Sequence, residues 1–158
     1  MLQDCLGCVV RSDMLISIDR QVHLGIIDHG ISTFPNECCG ILGGFHDKDG
    51  NLYLTEYKRG INLNQERAKD RYELNPLDII AAQKEFSESD IVGFYHSHPD
   101  CAANASETDR SKAWADYLYL IMSIQDGKFD SYKGWLLDDN KQFHEVAIRK
   151  AIAFCSFK

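Results

Sequence analysis

The segment GFYHSHPDCAANASETDRS, at positions 93–111, restricts the fold of this chain more than any other. It completes the apolar run DIVGFYHSHP, and the proline at its end has no N–H to donate to a neighbouring strand. The segment therefore predicts a buried strand that ends at Pro99, followed by a loop and a helix that starts near Ser106. Because successive side chains of a strand point to opposite faces, His96 and His98 are expected on one face.

The rest of the chain predicts strands with helices between them. Strands are expected in MLISI, CCGILGGF, LYLTEY and YLYLIMSI, and in a closing antiparallel meander formed by FDSYKGWLLDD and QFHEVAIR. One helix is expected after Asp19 as N-cap, and another after Asn75, with Pro76 at its first position. This order predicts a mixed α/β or α+β domain with a sheet flanked by helices. The final AIRKAIAFCSF also allows a terminal helix.

The length of 158 residues favours a single domain, assigned to residues 14–158. Residues 1–13 are left as an N-terminal extension, with disorder as one alternative. The net charge of -7 argues against a nucleic-acid partner, and no apolar run reaches the roughly 20 residues of a membrane-spanning helix. No secretory signal is recognisable, so a cytoplasmic location is expected.

Three residues of the opening segment suggest a metal site. Two imidazoles on one strand face can share a divalent ion, and Asp109 at the start of the next helix would add a third ligand. Three protein ligands leave a fourth tetrahedral position open, as in catalytic zinc sites. Two alternatives stay open: His96 and His98 as a polar surface pair or a satisfied buried pair, and Ser106 with Asp109 as a helix capping box.

A hydrolytic metal site also needs a general base, and Glu37 is the candidate. It precedes the glycine-rich apolar segment CCGILGG, where burial would raise the pKa of a carboxyl group toward neutrality. The alternative is a partly exposed glutamate at a strand end.

Together these residues resemble the JAMM (MPN-plus) metalloproteases, whose motif is E…H-x-H-x(7)-S-x-x-D. The residues Glu37, His96, His98, Ser106 and Asp109 fill every position of that motif. The resemblance covers roughly residues 14–150. It implies the JAMM/MPN (cytidine-deaminase-like) fold, a curved mixed, largely antiparallel sheet flanked by helices.

The resemblance also implies the role of each residue. One zinc ion per chain would be bound by His96, His98 and Asp109, and Glu37 would be the general base that activates the attacking water. Ser106 would donate a hydrogen bond to the developing oxyanion. This role competes with helix capping for the same hydroxyl group, and we expect the catalytic role to prevail.

The compact chain looks like the small stand-alone prokaryotic members of that family. Several of those cut after the C-terminal Gly-Gly of ubiquitin-like sulfur-carrier proteins, which makes such a carrier the expected partner. Two alternatives are a catalytically silent MPN-type scaffold or binding module and a cell-wall or phage-type peptidase.

The six cysteines are expected to be reduced, because nothing in the sequence indicates export. Cys5 and Cys8 have C-x-x-C spacing but no second pair to complete a zinc knuckle, so ordinary thiols are expected. Cys38 and Cys39 are expected to pack as small apolar residues. Cys101 follows His98 closely, and an exposed thiol there could bind zinc or be oxidised; an inert thiol is the alternative.

Overall fold

The computed structural model describes residues 13–152, the last three of them by their backbone alone. The predicted extension, with Cys5 and Cys8, therefore lies almost wholly outside the described residues, as does Cys155. The elements in chain order are β1 (Leu15–Asp19), α1 (Arg20–Thr33), β2 (Cys39–His46), β3 (Leu52–Arg59), α2 (Pro76–Glu85), β4 (Asp90–Pro99), α3 (Glu107–Lys112), β5 (Leu118–Gln125), β6 (Lys128–Leu137) and β7 (Phe143–Ile152).

The seven strands form one mixed sheet in the order β1-β3-β2-β4-β5-β6-β7, and β1 also pairs with β7, which closes the sheet into a barrel. Strand β1 is parallel to β3 and β7, and β4 is parallel to β5. The other four pairings are antiparallel, including the predicted pairing of β6 with β7. The prediction of a mixed α+β domain is confirmed, whereas the closure of the sheet was not predicted.

The chain end differs from one expectation. Residues 147–152 belong to strand β7, so the terminal helix was wrong for the described part of that segment. The physical reason is strand pairing: residues 147–152 pair with β1, whereas β6 pairs with residues 143–146, and the ladder with β1 supplies partners for backbone polar groups of the segment. This ladder outweighs the helix preference of the alanines.

The helix starts follow the capping predictions. The Asp19 side chain accepts a hydrogen bond from the backbone N–H of Gln21 at 2.8 Å, and the Asn75 side chain accepts one from the N–H of Leu77 at 3.0 Å. Pro76 occupies the first turn of α2, where its missing N–H costs nothing. None of the helices in residues 13–152 is long and apolar enough to cross a membrane.

The core lies on both faces of the sheet. On one face, Val22 and Ile26 of α1 pack with strand residues such as Leu120. On the other face, Ala82 of α2 packs with a smaller cluster that includes Phe94 of β4. Because side chains alternate along a strand, His96 and His98 lie on the same face as Phe94, beyond the end of that cluster. This places both imidazoles on the face opposite α1.

A close backbone approach fixes β4 in the sheet. A Cβ atom on Gly93 would lie 2.3 Å from the carbonyl oxygen of Leu118, its partner in β5. A side chain there would push apart the two strands at the start of their pairing. Glycine at position 93 therefore allows β4 to run along β5 as far as the histidines.

Candidate metal centre

The three predicted ligand residues come together from two elements. His96 and His98 project from the end of β4, and Asp109 projects from the first turn of α3. His96 is fully buried, and the side chains of His98 and Asp109 are 11% and 8% exposed. The alternative of a polar surface pair is therefore wrong. Within residues 13–152 these three residues form a group able to hold a metal ion.

The distances among the three residues fit a tetrahedral ion. The Nε2 atoms of His96 and His98 lie 3.2 Å apart, and Asp109 places its Oδ1 3.1 Å from His96 Nε2 and its Oδ2 3.5 Å from His98 Nε2. Ligands at about 2.0–2.1 Å from a tetrahedral zinc ion are separated by about 3.3–3.4 Å. The measured separations are therefore close to those between donors that share one zinc ion.

The protonation states of His96 and Asp109 also suit a cation. Burial lowers the pKa of His96, so this ring is neutral and has a lone pair to offer. Burial acts to raise the pKa of the Asp109 carboxyl, but hydrogen bonds with His96 and His98 outweigh it and hold this pKa well below its usual range. Nδ1 of His98 lies 2.9 Å from the Ala102 carbonyl oxygen, which fixes the N–H there and leaves the lone pair on Nε2, the atom that lies near His96 and Asp109.

His96 is held in a different way. Its Nδ1 is buried and has no hydrogen-bond partner in the described residues. Instead, the ring of Tyr72 stacks on it, with centroids 4.5 Å apart and an angle of 27° between the planes. Tyr72 was not predicted as a site residue, because nothing in its local sequence links it to β4.

Ser106 and Asp109 form the capping box that the sequence allowed. The Ser106 hydroxyl accepts from the Asp109 N–H at 3.1 Å, and the Asp109 carboxylate accepts from the Ser106 N–H at 2.7 Å. Capping therefore uses the hydroxyl oxygen only as an acceptor, and its proton remains available to donate. The expected competition between capping and donation does not arise.

Glu37 is buried, with 5% of its surface exposed, so the alternative of a partly exposed glutamate is wrong. Its side chain lines the same cavity of about 400 Å³ as His98, Ser106 and Asp109. Burial is the main cause that raises the pKa of Glu37 to about 7; the neighbouring charge of His98 lowers it and that of Asp109 raises it. A carboxyl group with such a pKa can exchange protons near neutral pH.

Two polar side chains that the sequence did not single out hold Glu37 in place. Ser97, between the two histidines, accepts a hydrogen bond from the backbone N–H of Cys38 at 2.9 Å. Asn62 donates to the carbonyl oxygens of Glu37 and Arg71 at 3.3 and 3.0 Å. The Glu37 backbone is thus tied both to β4 and to the loop formed by residues 60–75.

The raised pKa of Glu37 predicts a pH-dependent stability. The folded state favours the protonated carboxyl, so this stabilisation is present below the ordinary value of 4.5 and is lost as the pH rises through about 7. In metal-free protein, the Glu37→Gln variant has no carboxyl group at this position and does not undergo this loss of stability. The free energy of unfolding of the variant minus that of wild type should therefore increase by about 2–3 kcal/mol from pH 5 to pH 8. Urea titrations of both proteins at pH 5 and pH 8 measure the two free energies of unfolding. The same difference between variant and wild type at both pH values would contradict the prediction.

The described residues include three free cysteines, of which two are buried and one is exposed. Cys38 and Cys39 are buried and free, which confirms packing as apolar residues. Cys101 is exposed and lines the cavity beside His98. Its carbonyl oxygen accepts a hydrogen bond from the Ser123 hydroxyl at 2.7 Å, which holds the loop.

Comparisons with known proteins agree with the geometry. The model of a family described as prokaryotic homologues of the JAB domain matches residues 19–137. A desampylase from Haloferax volcanii is 34% identical over 117 residues, which cover 72% of this chain and 78% of that protein. Tail tip assembly protein K of Escherichia phage N15 is 29% identical over 103 residues, which cover 65% of this chain but only 38% of that protein.

Solved structures show the same architecture. The solution structure of a protein from Desulfitobacterium hafniense has a TM-score of 0.74 and 26% identity, covering 88% of this chain and 95% of that chain. A protein from Salinibacter ruber has a TM-score of 0.65 and 31% identity, covering 85% and 92%. Nearly the whole length of each of these proteins is therefore similar to this chain.

Proposed function

This chain belongs to the family of prokaryotic homologues of the JAB domain, and we propose that it is a zinc-dependent peptidase or isopeptidase. Its substrate would be a ubiquitin-like sulfur-carrier protein, cut after the carrier's C-terminal glycine. One observation carries the proposal: Glu37, a buried glutamate with a pKa near neutrality, lines the same cavity as His98 and Asp109.

The donor set fits one zinc ion, which would be held by Nε2 of His96, Nε2 of His98 and a carboxylate oxygen of Asp109. When bound, the ion supplies Lewis-acid polarisation of the scissile carbonyl and lowers the pKa of water at the open position. The chain itself keeps its donors in place, through the Ala102 carbonyl behind His98 and the Tyr72 ring on His96.

Glu37 would handle the proton in both halves of the reaction. Its carboxylate accepts a proton from the attacking water, and the protonated carboxyl then donates that proton to the amine that leaves. A pKa of about 7 suits both steps, because the group is neither too weak a base nor too weak an acid near neutral pH. Burial of Glu37 supplies this pKa. The bond from the neighbouring Cys38 N–H to Ser97 and the bond from Asn62 to the Glu37 carbonyl oxygen hold the residue in position.

Ser106 would donate its free hydroxyl proton to the oxyanion that forms at the scissile carbonyl. Ser106→Ala removes this donor and the helix cap together. We expect kcat to fall by about 10²- to 10³-fold and the free energy of unfolding to fall by about 1 kcal/mol. Ser106→Thr keeps a hydroxyl that can cap and donate, and it should restore most of both quantities. Steady-state kinetics and urea unfolding measure the two effects; equal kcat in Ser106→Ala and wild type would exclude the role.

A Gly-Gly tail suits the site because it has no side chains and can enter a narrow cavity in extended form. The test is to incubate zinc-loaded protein with a Gly-Gly-terminated carrier that bears one additional C-terminal residue. Mass spectrometry should show loss of that residue. An intact carrier after prolonged incubation would exclude this substrate class.

Other observations bear on the alternatives. The Haloferax volcanii relative is named as an enzyme, and this chain keeps a complete donor set, which together favour catalysis over a scaffold role. The similarity to the phage protein covers 38% of that protein's length and supplies no argument for a role in a phage tail. The proposed carrier substrate agrees with a cytoplasmic location, and the net charge of -7 does not favour nucleic acid as a partner.

A further inference from the structure

Among the cavity-lining residues to which no catalytic role is proposed, some have hydrogen-bond donors that no acceptor of the described residues engages. Lys69 in the 60–75 loop and Lys112 at the end of α3 both line the cavity. Within residues 13–152 neither ammonium group has a hydrogen bond or an ion pair. The two lysines belong to different elements, so two separate segments of the chain each contribute an unpaired positive charge to the cavity.

A third donor faces the same space. Asn104 lines the cavity, and its Oδ1 accepts a hydrogen bond from the Lys133 ammonium at 3.0 Å. Since an ammonium group can only donate, this bond fixes which end of the amide is the oxygen. The Nδ2 group of Asn104 has no partner among the described residues, so its two N–H donors remain free.

The acidic groups of the cavity are already engaged. Asp109 is bonded to both histidines, and Glu37 is the proposed base. Asp70 forms an ion pair with Arg67, and Arg71 lies 3.6 Å from the same carboxylate. The cavity wall therefore has positive charge and hydrogen-bond donors to offer, which is the chemistry of an anion site.

We propose that Lys69, Lys112 and Asn104 form a subsite for the free α-carboxylate of the residue that leaves the carrier. This inference rests on the proposed function. The two glycines before the cut carry no charge, so on that side no anion lies near the scissile bond. On the other side, a single C-terminal residue places its α-carboxylate one residue from the cut. An isopeptide to a protein lysine has no such anion, so the subsite selects short C-terminal extensions over isopeptides.

The test uses one Gly-Gly-terminated carrier extended by a single alanine, as the free acid and as the C-terminal amide. Zinc-loaded wild type should cleave the acid with a kcat/KM about five- to tenfold above that for the amide, through a lower KM. The double variant Lys69→Gln/Lys112→Gln should reduce this ratio to near one. Lys128→Gln, an exposed lysine outside the cavity, is the matched control and should keep the wild-type ratio.

Equal cleavage of acid and amide by wild type would overturn the subsite and leave the proposed function standing. A ratio unchanged in the double variant would also overturn it. Cleavage of neither substrate would overturn the proposed function, and the subsite with it.

Discussion

Glu37→Gln is expected to lower kcat for carrier cleavage by about 10²- to 10⁴-fold, the usual contribution of a positioned general base. The amide has nearly the shape of the carboxylate but cannot accept and return a proton. Since Glu37 is outside the group of three donors, the variant should still bind about one zinc per chain. Single-turnover kinetics with zinc-loaded protein, together with elemental analysis, measure both quantities.

The control for this variant is Glu66→Gln. Glu66 lies in the 60–75 loop, which contacts Glu37 through Asn62, but Glu66 is exposed and does not line the cavity. Its variant should keep the wild-type kcat. If Glu37→Gln retained more than a tenth of the wild-type kcat while remaining zinc-loaded, Glu37 could not be the base.

His98→Ala should weaken zinc binding by more than about 100-fold, because loss of an outer-shell partner of a ligand alone costs about 10- to 100-fold. His98 is preferred over His96 for this test because it is partly exposed, whereas His96 is fully buried and its removal would leave a cavity in the interior. Competition with a chromogenic chelator gives the dissociation constant.

His144→Ala is the matched control, since His144 is exposed and bonded to Asp138 at 2.7 Å, outside the donor group. Its zinc affinity should equal that of wild type. Equal affinity in His98→Ala and wild type would show that zinc binds elsewhere on the chain.

The site was predictable from the sequence where its geometry is local. Alternation along one strand brings His96 and His98 to the same face, and a proline ends that strand. The capping pattern places Asp109 in the first turn of the next helix. These relations involve residues close in sequence, so their spacing alone determines their relative positions.

What the sequence could not predict depends on contacts between distant segments. Tyr72 reaches His96, and Asn62 reaches Glu37, only because the 60–75 loop folds over the end of β4. Closure of the barrel requires β1 to pair with β7 at the other end of the chain. The same pairing makes residues 147–152 a strand, against their helix propensity. Local patterns carry no information about such partners.

Cys101 is the remaining competitor for the metal, as an exposed thiol that lines the same cavity. Thiolate sulfur binds zinc at about 2.3 Å, whereas imidazole nitrogen and carboxylate oxygen bind at about 2.0–2.2 Å. The two types of donor can therefore be distinguished by distance.

Zinc K-edge X-ray absorption of protein loaded with one zinc per chain tests the metal centre most directly. A centre formed by two histidines and one aspartate should give a first shell of nitrogen and oxygen alone at about 2.0–2.1 Å, with outer-shell scattering from two imidazole rings. A sulfur shell at about 2.3 Å, or scattering from fewer than two imidazoles, would contradict a centre formed by His96, His98 and Asp109.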